Sequence, residues 1–359
     1  MSEPLARYHR QMILPQIGEV GQARLSSAHA LLVGCGALGT VIADALVRAG
    51  VGRLTIADRD VVELTNLQRQ VLFDESDARE GLPKAEAAAV RLRRINSQVE
   101  IVPEVADVTA RNVERLMGVA DGAENGIGVI VDGTDNFQTR YLLNDAAVKH
   151  GVPMVYGGAV GTAGMTMTIR PGVTSCLRCI FPEAPPPGSV ATCDTAGVLG
   201  PAVGVIALMQ ATEAIKVLAG KADACTRTLR EVDVWSGRLR ALEIGGPATE
   251  CPCCAQRRFE YLDARHTDDT TSLCGADAVQ VAPPGYGVSV DLDALAARLA
   301  KHGPFTATRF LVRGVLSGEI GRGNGKAVEL TVFRDGRAII KGVQDSAAAR
   351  TLYARYVGS

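Results

Sequence analysis

The sequence predicts an α/β protein: a doubly wound, mostly parallel sheet with antiparallel additions, followed by a small α+β C-terminal domain. Three observations carry this expectation. Strand-like apolar runs alternate with helix-like amphipathic runs from Ala30 to Val160. A glycine-rich turn, "VGCGALG" at 33–39, joins the first such strand to the first such helix. From position 267 the pattern changes to separate strands, one hairpin and two short helices. A strand, a glycine turn and a helix repeated in this way make the first part Rossmann-like.

Each element follows from its residues. Positions 1–29 read as a mostly helical segment, with Arg7, Arg10 and Arg24 among Leu, Ile and Met. "ALLVG" (30–34) reads as a buried strand, "TVIADALVRAG" (40–50) as a helix and "RLTIAD" (53–58) as a second strand. "KAEAAAVRLRRIN" (84–96) is a helix, "VEIVPEV" (99–105) a strand, "ARNVERLMGVA" (110–120) a helix and "IGVIVDGTD" (127–135) a strand. "QTRYLLNDAAVKHG" (138–151) and "PMVYGGAV" (153–160) continue the alternation, and "AGMTMTIRPG" (163–172) adds an antiparallel strand. Residues 181–201, rich in Pro and Gly, form a long loop, and such loops are commonly functional. "AVGVIALMQATEAIKVLAG" (202–220) returns to a helix, and "LREVDVWSGRLRALEI" (229–244) is a hairpin turning at Ser236-Gly237. The domain 30–262 ends there. In 267–359, "AVQVAPP" is strand-like, and Asp291 caps a helix that Gly303 stops. "ATRFLVRGVL" is a strand, "VELTVFRDGRAIIKGV" turns at Asp335-Gly336, and "DSAAARTLYARYVG" closes as a helix.

Composition narrows the function. The 359 residues carry a net charge of −1 with no block of like charges, which disfavours a nucleic-acid partner. Apolar runs are broken by Gly, Arg or Asp short of membrane-spanning length, so no membrane partner is expected. "MSEPLARYHRQMILPQ" lacks a signal-peptide core, and a cytoplasmic location is the expectation. Nine cysteines, an odd number of which five fall in two tight clusters, point to metal ligands and free thiols rather than a disulfide framework.

In the glycine turn, Gly34 permits the turn out of the strand, Gly36 lets backbone approach phosphate oxygens, and Gly39 allows close packing of helix on sheet. The helix N-terminus offers N–H donors to a phosphate. Asp58 closes the next strand, where an acid can take ribose hydroxyls. By themselves these features suit NAD or FAD. Asn66, Arg69 and Lys84 then add polar and cationic groups that a dinucleotide has little use for and a nucleoside triphosphate does. Asp135, in "GTDN" after another strand, fits a magnesium-binding acid at the carboxyl edge of the sheet.

"SCLRC" supplies Cys176 and Cys179, and "CPCC" supplies Cys251 and Cys254 with Cys253 between them. Two such pairs fit a tetrahedral four-thiolate zinc site, structural because no position stays open for water. Cys253 is a rival to Cys254 as ligand. Cys193, in the long loop, is a candidate nucleophile or an incidental small residue. Cys35 reads as packing, Cys225 and Cys274 as free thiols, and His9 as a surface residue of a helix.

The segments "RYHRQMILPQIGEVGQARL", "VGCGALG", "DRDVVELTNLQRQVLF", "LPKAEAA", "VDGTDNFQTRYLLND", "CLRCIF", "CDTAGVLGP" and "CPCC" follow one another in an order that resembles the MoeB/ThiF enzymes, relatives of the ubiquitin-activating enzymes, over residues 5–256. The resemblance implies an adenylyltransferase. Such enzymes bind MgATP and the Gly-Gly tail of a ubiquitin-like sulfur-carrier protein, and form an acyl-adenylate with release of pyrophosphate. A sulfur donor such as a cysteine desulfurase or rhodanese then gives a thiocarboxylate, in molybdopterin, thiamine or related sulfur metabolism. It implies Asp58 as the ribose-binding acid, Asn66, Arg69 and Lys84 as phosphate contacts, and Asp135 as the magnesium-linked acid. Arg10 would enter the partner subunit's site in a homodimer. Cys176, Cys179, Cys251 and Cys254 would hold Zn2+, and Cys193 would be the loop cysteine that some members link to the carrier. Residues 267–359 resemble an extension of some bacterial members and not a rhodanese, because Cys274 precedes no arginine-containing loop. Their bland reading is an interaction or dimer-stabilising module. Three alternatives remain: an NAD(P)-dependent oxidoreductase, for which no catalytic His or Lys site is evident; a non-catalytic carrier-binding scaffold; and a relative acting on modified tRNA.

Overall fold

The computed structural model describes residues 3–119, 126–185, 193–263, 270–273, 278–281, 289–320, 327–343 and 345–358. The chain separates into two compact units, Met1–Arg265 and His266–Ser359. In the first, eight strands form one sheet: β1 (His29–Val33), β2 (Arg53–Asp58), β3 (Glu100–Val105), β4 (Val129–Asp132), β5 (Met154–Val160), β6 (Ala163–Ile169), β7 (Thr228–Asp233) and β8 (Arg238–Glu243). Their order is β3-β2-β1-β4-β5-β6-β7-β8. The pairs from β3 to β5 are parallel, and those from β5 to β8 are antiparallel. The predicted mostly parallel sheet with antiparallel additions is therefore present.

Strand alternation builds two cores. Ala30 and Leu32 of β1, with Val129 and Val131 of β4, face a layer holding the helices Ala37–Ala49, Lys84–Ile95 and Gly200–Leu218. Leu31 and Val33, with Ile130, face the other layer, held by the helix Phe137–His150 and the cysteine-bearing segments. Both faces of the parallel strands are covered, which is why these strands read as continuous apolar runs. Each fully buried Leu or Ile contributes about 2 kcal/mol of transfer free energy.

Two features differ from expectation, and the mostly helical segment before β1 is present in three pieces. The helix expected over 110–120 is reduced to Val113–Leu116. The Asn112 side chain takes the Thr109 amide at 2.9 Å before it, and Gly118 at φ 66° turns the chain after it. The segment before β1 is a 3-10 turn (Glu3–Tyr8), a helical turn (His9–Met12) and a helix (Gly18–Ser27). The helix Gly200–Leu218 does reach membrane-spanning length and apolarity. It packs instead on the helix Ala37–Ala49 and on β4, β5 and β6, so its apolar character is that of a core helix.

The second unit is a six-stranded antiparallel sheet of β9 (Thr270–Leu273), β10 (Ala278–Val281), β11 (Phe305–Ala307), β12 (Leu311–Ile320), β13 (Ala327–Phe333) and β14 (Ala338–Lys341), ordered β11-β12-β13-β14-β10-β9. The helices Leu292–Leu299 and Ser346–Tyr356 share one core with it. Asp291 caps the first, accepting from the amides of Asp293 and Ala294 at 3.1 and 3.0 Å. That helix ends before Gly303, in a turn where the His302 amide reaches the Leu299 carbonyl at 2.8 Å. Strands β9 and β11 are too short to show a period and were not expected.

Candidate active site and metal centre

Strand order reverses at β1, so a crevice opens beyond the carboxyl ends of β1 and β4, where open α/β sheets bind ligands. The glycine turn lies there. Gly34 has φ +87°, and a Cβ on it would stand 2.6 Å from the Gly133 carbonyl oxygen, so the turns after β1 and β4 touch. Gly36 caps the helix Ala37–Ala49 without a side chain, leaving its first N–H groups for an anion. A Cβ on Gly39 would land on the Gly34 carbonyl. Gly39→Ala is therefore expected to abolish nucleotide binding and to lower the melting temperature; wild-type nucleotide affinity in calorimetry would refute this.

Asp58 ends β2, nearly buried at 8% exposure. Its Oδ2 accepts the Cys35 amide at 2.6 Å and its Oδ1 the Asp60 amide at 2.7 Å. It thus fixes the glycine turn while keeping lone pairs for a further donor. Burial pushes its carboxyl above the usual carboxylate range, against the pull of Lys84. Lys84 opens the helix Lys84–Ile95, with its backbone amide on the Asp60 carbonyl at 2.9 Å and its Nζ on Asp60 Oδ2 at 3.1 Å. Burial alone would pull Lys84 down, but Asp60, Asp58 and Asp135 hold it above its usual range. Arg59 binds both oxygens of Asp107 at 3.2 Å.

The other predicted residues are placed as follows. Asn66 accepts the Glu63 amide at 3.1 Å in a capping box. Arg69 is half-buried, with Nη1 on the Thr65 carbonyl at 2.9 Å, and lies close to Gly200 at the start of the long helix. Asp135 is exposed beyond β4, close enough to Lys84 and Arg59 to act on both. Arg10 is exposed on the turn His9–Met12 and is not brought to this cluster by any described contact. Cys193 begins the short helix Cys193–Ala196, but its side chain lies outside the described residues, as does the whole of Cys274. Cys35 is buried as packing, and His9 is exposed on a helical turn. Cys225 is buried with its thiol 3.7 Å from the Glu213 carbonyl.

A buried polar group that sequence reasoning passed over supports the crevice from below. Asp132, at the end of β4, accepts from the Thr134 amide and hydroxyl at 2.9 and 2.6 Å and lies 3.4 Å from Arg140 Nε. Arg140 also donates to the Thr134 carbonyl at 2.7 Å, and Gln210 donates to the Asp132 carbonyl at 2.7 Å. The one signal in the sequence was an acid closing the apolar run "VIVD".

Across the same unit, Cys176, Cys179, Cys251 and Cys254 place their sulfurs within 4.8 Å of one another. The Cys176–Cys251, Cys176–Cys179 and Cys179–Cys254 sulfurs are 3.6, 3.8 and 3.3 Å apart. Four thiolates at zinc–sulfur length on a tetrahedron stand about 3.8 Å apart, so the group fits zinc. Burial and hydrogen bonds with Cys179 and Cys251 push the Cys254 thiol up to about 12. A bound dication reverses that preference by holding thiolates. Between the two candidates, geometry places Cys254 in the group and leaves Cys253 beside it.

The ThiF family model matches residues 8–253. The chain belongs to the ThiF family. It is 42% identical to a sulfur carrier protein ThiS adenylyltransferase of Bacillus subtilis, over 98% of this chain and 99% of that one. That alignment includes the C-terminal unit. A SAMP-activating enzyme E1 of Haloferax volcanii is 40% identical over 72% of this chain and 92% of that one. An adenylyltransferase and sulfurtransferase MOCS3 of Sus scrofa is 38% identical over 80% of this chain, but the match spans only 62% of that longer protein. Among solved structures, E. coli MccB with MccA-N7isoASN has a TM-score of 0.59 at 21% identity, covering 70% of this chain and 74% of that one. At that identity the likeness speaks for the fold, and it agrees with a ThiF-type α/β sheet.

Proposed function

We propose that this chain is an ATP-dependent adenylyltransferase that activates the C-terminal glycine carboxylate of a ubiquitin-like sulfur-carrier protein. The observation that carries this is the group at the switch point: the glycine turn, Asp58, and buried Lys84 paired with the partly exposed Asp60, with Asp135 beside them. Lys84 and Arg59 lie there among Asp58, Asp60, Asp107 and Asp135, which brings cations that could meet phosphate beside acids that could meet Mg2+. The ThiF membership and the ThiS adenylyltransferase relative support the same reading.

A carboxylate is a poor acyl donor because oxide would have to leave. In the proposed reaction a carrier carboxylate oxygen bonds to the α-phosphorus, the α–β phosphoanhydride bond breaks, and pyrophosphate departs with the electron pair. Asp58 would hold the ribose hydroxyls. The helix N-terminus at Gly36, with Asn66, Arg69 and Lys84, would take the phosphates, and Asp135 the Mg2+. The work is alignment and charge neutralisation. Cys176, Cys179, Cys251 and Cys254 would hold a structural Zn2+. We place the enzyme in the cytoplasm, with a separate sulfur donor completing the thiocarboxylate and Cys193 as the site of any covalent link to the carrier.

A protein substrate is supported by the sheet edge. Strand β8 is the last in the order and exposed throughout, and Leu239 and Leu242 on it and Trp235 beside it are 74%, 58% and 80% exposed. An open edge that exposes apolar side chains among charged ones suits another protein's strand. Ile13, Leu14 and Val20, exposed near Arg10, support a homodimer that lends Arg10 to its partner. The test is exchange of labelled pyrophosphate into ATP with a panel of Gly-Gly-ended carriers. Exchange dependent on one carrier is expected and names the pathway. No exchange with any carrier, from folded zinc-loaded protein, returns the chain to the scaffold or tRNA reading.

A further inference from the structure

The helix Phe137–His150 serves two places. Its N-cap Asn136 follows Asp135, and its first turn brings Arg140 to Asp132 beneath the crevice. One turn further on, Asn144 and Asp145 are fully buried, and the nucleotide cluster uses neither. Asn144 Oδ1 accepts the amide of Leu177, the residue after Cys176, at 2.8 Å. Its Nδ2 donates to the Cys253 sulfur at 3.3 Å. Asp145 Oδ2 accepts the Tyr261 amide at 2.9 Å, and its carboxylate also lies against the Cys253 thiol. Cys253 in turn lies against Cys176. One carboxamide therefore holds both cysteine arms, which are 75 residues apart in sequence, by one bond each.

We propose that Asn144 is a positioning residue for the metal centre: its two hydrogen bonds set the Cys176–Cys179 arm against the Cys251–Cys254 arm, with Cys253 as the relay and not as a ligand. A buried amide has both of its hydrogen-bonding ends committed here, so it cannot rotate without leaving one arm unsatisfied. An apolar residue in its place would leave the Leu177 amide buried without its acceptor and the Cys253 sulfur without its donor. The ligand arms would then open independently. The same helix carries Arg140, so the metal centre and the floor of the crevice share one rigid element.

The inference rests on the reading of the four cysteines as a zinc site, and the test separates the two. Zinc release to a chromogenic chelator is followed in the full chain for wild type, Asn144→Leu, Asn144→Asp and Cys253→Ala, together with the visible spectrum of the cobalt-substituted proteins. Each variant is expected to bind one zinc per chain. Asn144→Leu should release it roughly ten- to a hundred-fold faster, as loss of outer partners of a metal site does. Asn144→Asp keeps an acceptor for the Leu177 amide and loses the donor to sulfur, so its rate should lie between. Cys253→Ala should retain stoichiometric zinc, release it faster than wild type, and share with Asn144→Leu a shifted cobalt spectrum. Wild-type release rates in Asn144→Leu, or in both of the other variants if that one does not fold, overturn the proposal. So does loss of the metal from Cys253→Ala, which would make Cys253 a ligand. A wild-type chain that takes up neither zinc nor cobalt overturns the metal reading and the positioning role with it.

Discussion

Asp135→Ala is expected to lower carrier-dependent ATP–pyrophosphate exchange by a factor on the order of 10² to 10³, the scale of losing one charge-stabilising group at a reacting phosphate. The variant separates chemistry from folding well. Asp135 is exposed, whereas the groups that shape the crevice beneath it, Asp132, Thr134 and Arg140, are buried and bonded to one another. Asn136 still accepts the Thr139 amide at 2.8 Å and still starts the helix. The melting temperature should therefore change little, since exposed substitutions usually cost within about 0.5 kcal/mol. Exchange assays at several magnesium concentrations, with melting curves beside them, check this. Activity above a tenth of wild type at every magnesium concentration would remove Asp135 from the metal role.

Stripping zinc is expected to have the largest effect on stability. Cys176, Leu177, Cys251, Phe259 and Leu262 are buried in the core layer that also packs the helix Phe137–His150. The two arms reach that layer through loops and one-turn helices, with little regular structure to hold them. A structural zinc supplies on the order of 10 kcal/mol of apparent binding free energy, comparable to the whole stability of a domain. Chelated protein should melt roughly 20 °C or more below the reloaded protein, at about 2–4 °C per kcal/mol. Cys251→Ser should behave like the chelated form and should not recover on adding zinc. Superimposable melts of stripped and reloaded protein would sink the structural role.

Much of this was legible in the sequence where one period dominates. The strand Arg53–Asp58 occupies the residues its apolar run marked, and the two hairpins turn where Ser236-Gly237 and Asp335-Gly336 predicted. The cysteine spacing marked a four-thiolate group before any geometry was known. It could not choose between Cys253 and Cys254, which are adjacent in the chain and differ only in the direction of their side chains. The Asp132–Arg140–Gln210 group escaped notice for a related reason. Each of its members looks like an ordinary polar residue until β4 and two helices far apart in sequence are brought together. Asn144 was hidden in the same way, as one polar residue in the middle of a helix. Arg10 and Cys193 stand apart, because the role implied for Arg10 needs a second subunit and that for Cys193 a carrier.

The two ends of the metal clip have a consequence for how the protein is made. Cys176 and Cys179 leave the ribosome well before Cys251 and Cys254, with the long helix Gly200–Leu218 and the hairpin of β7 and β8 between them. All of the parallel strands lie before the first pair of cysteines. The parallel strands are thus made early, but the layer that covers them is complete only once the helix Gly200–Leu218 has followed. The metal clip cannot close until residue 254 has cleared the exit tunnel. If zinc fills that group, its supply would bear on the last step of assembly, after the sheet-forming segments have been made. Chains made in zinc-starved cells would carry a formed sheet with two loose thiol-bearing arms, the state most exposed to oxidation and to proteolysis.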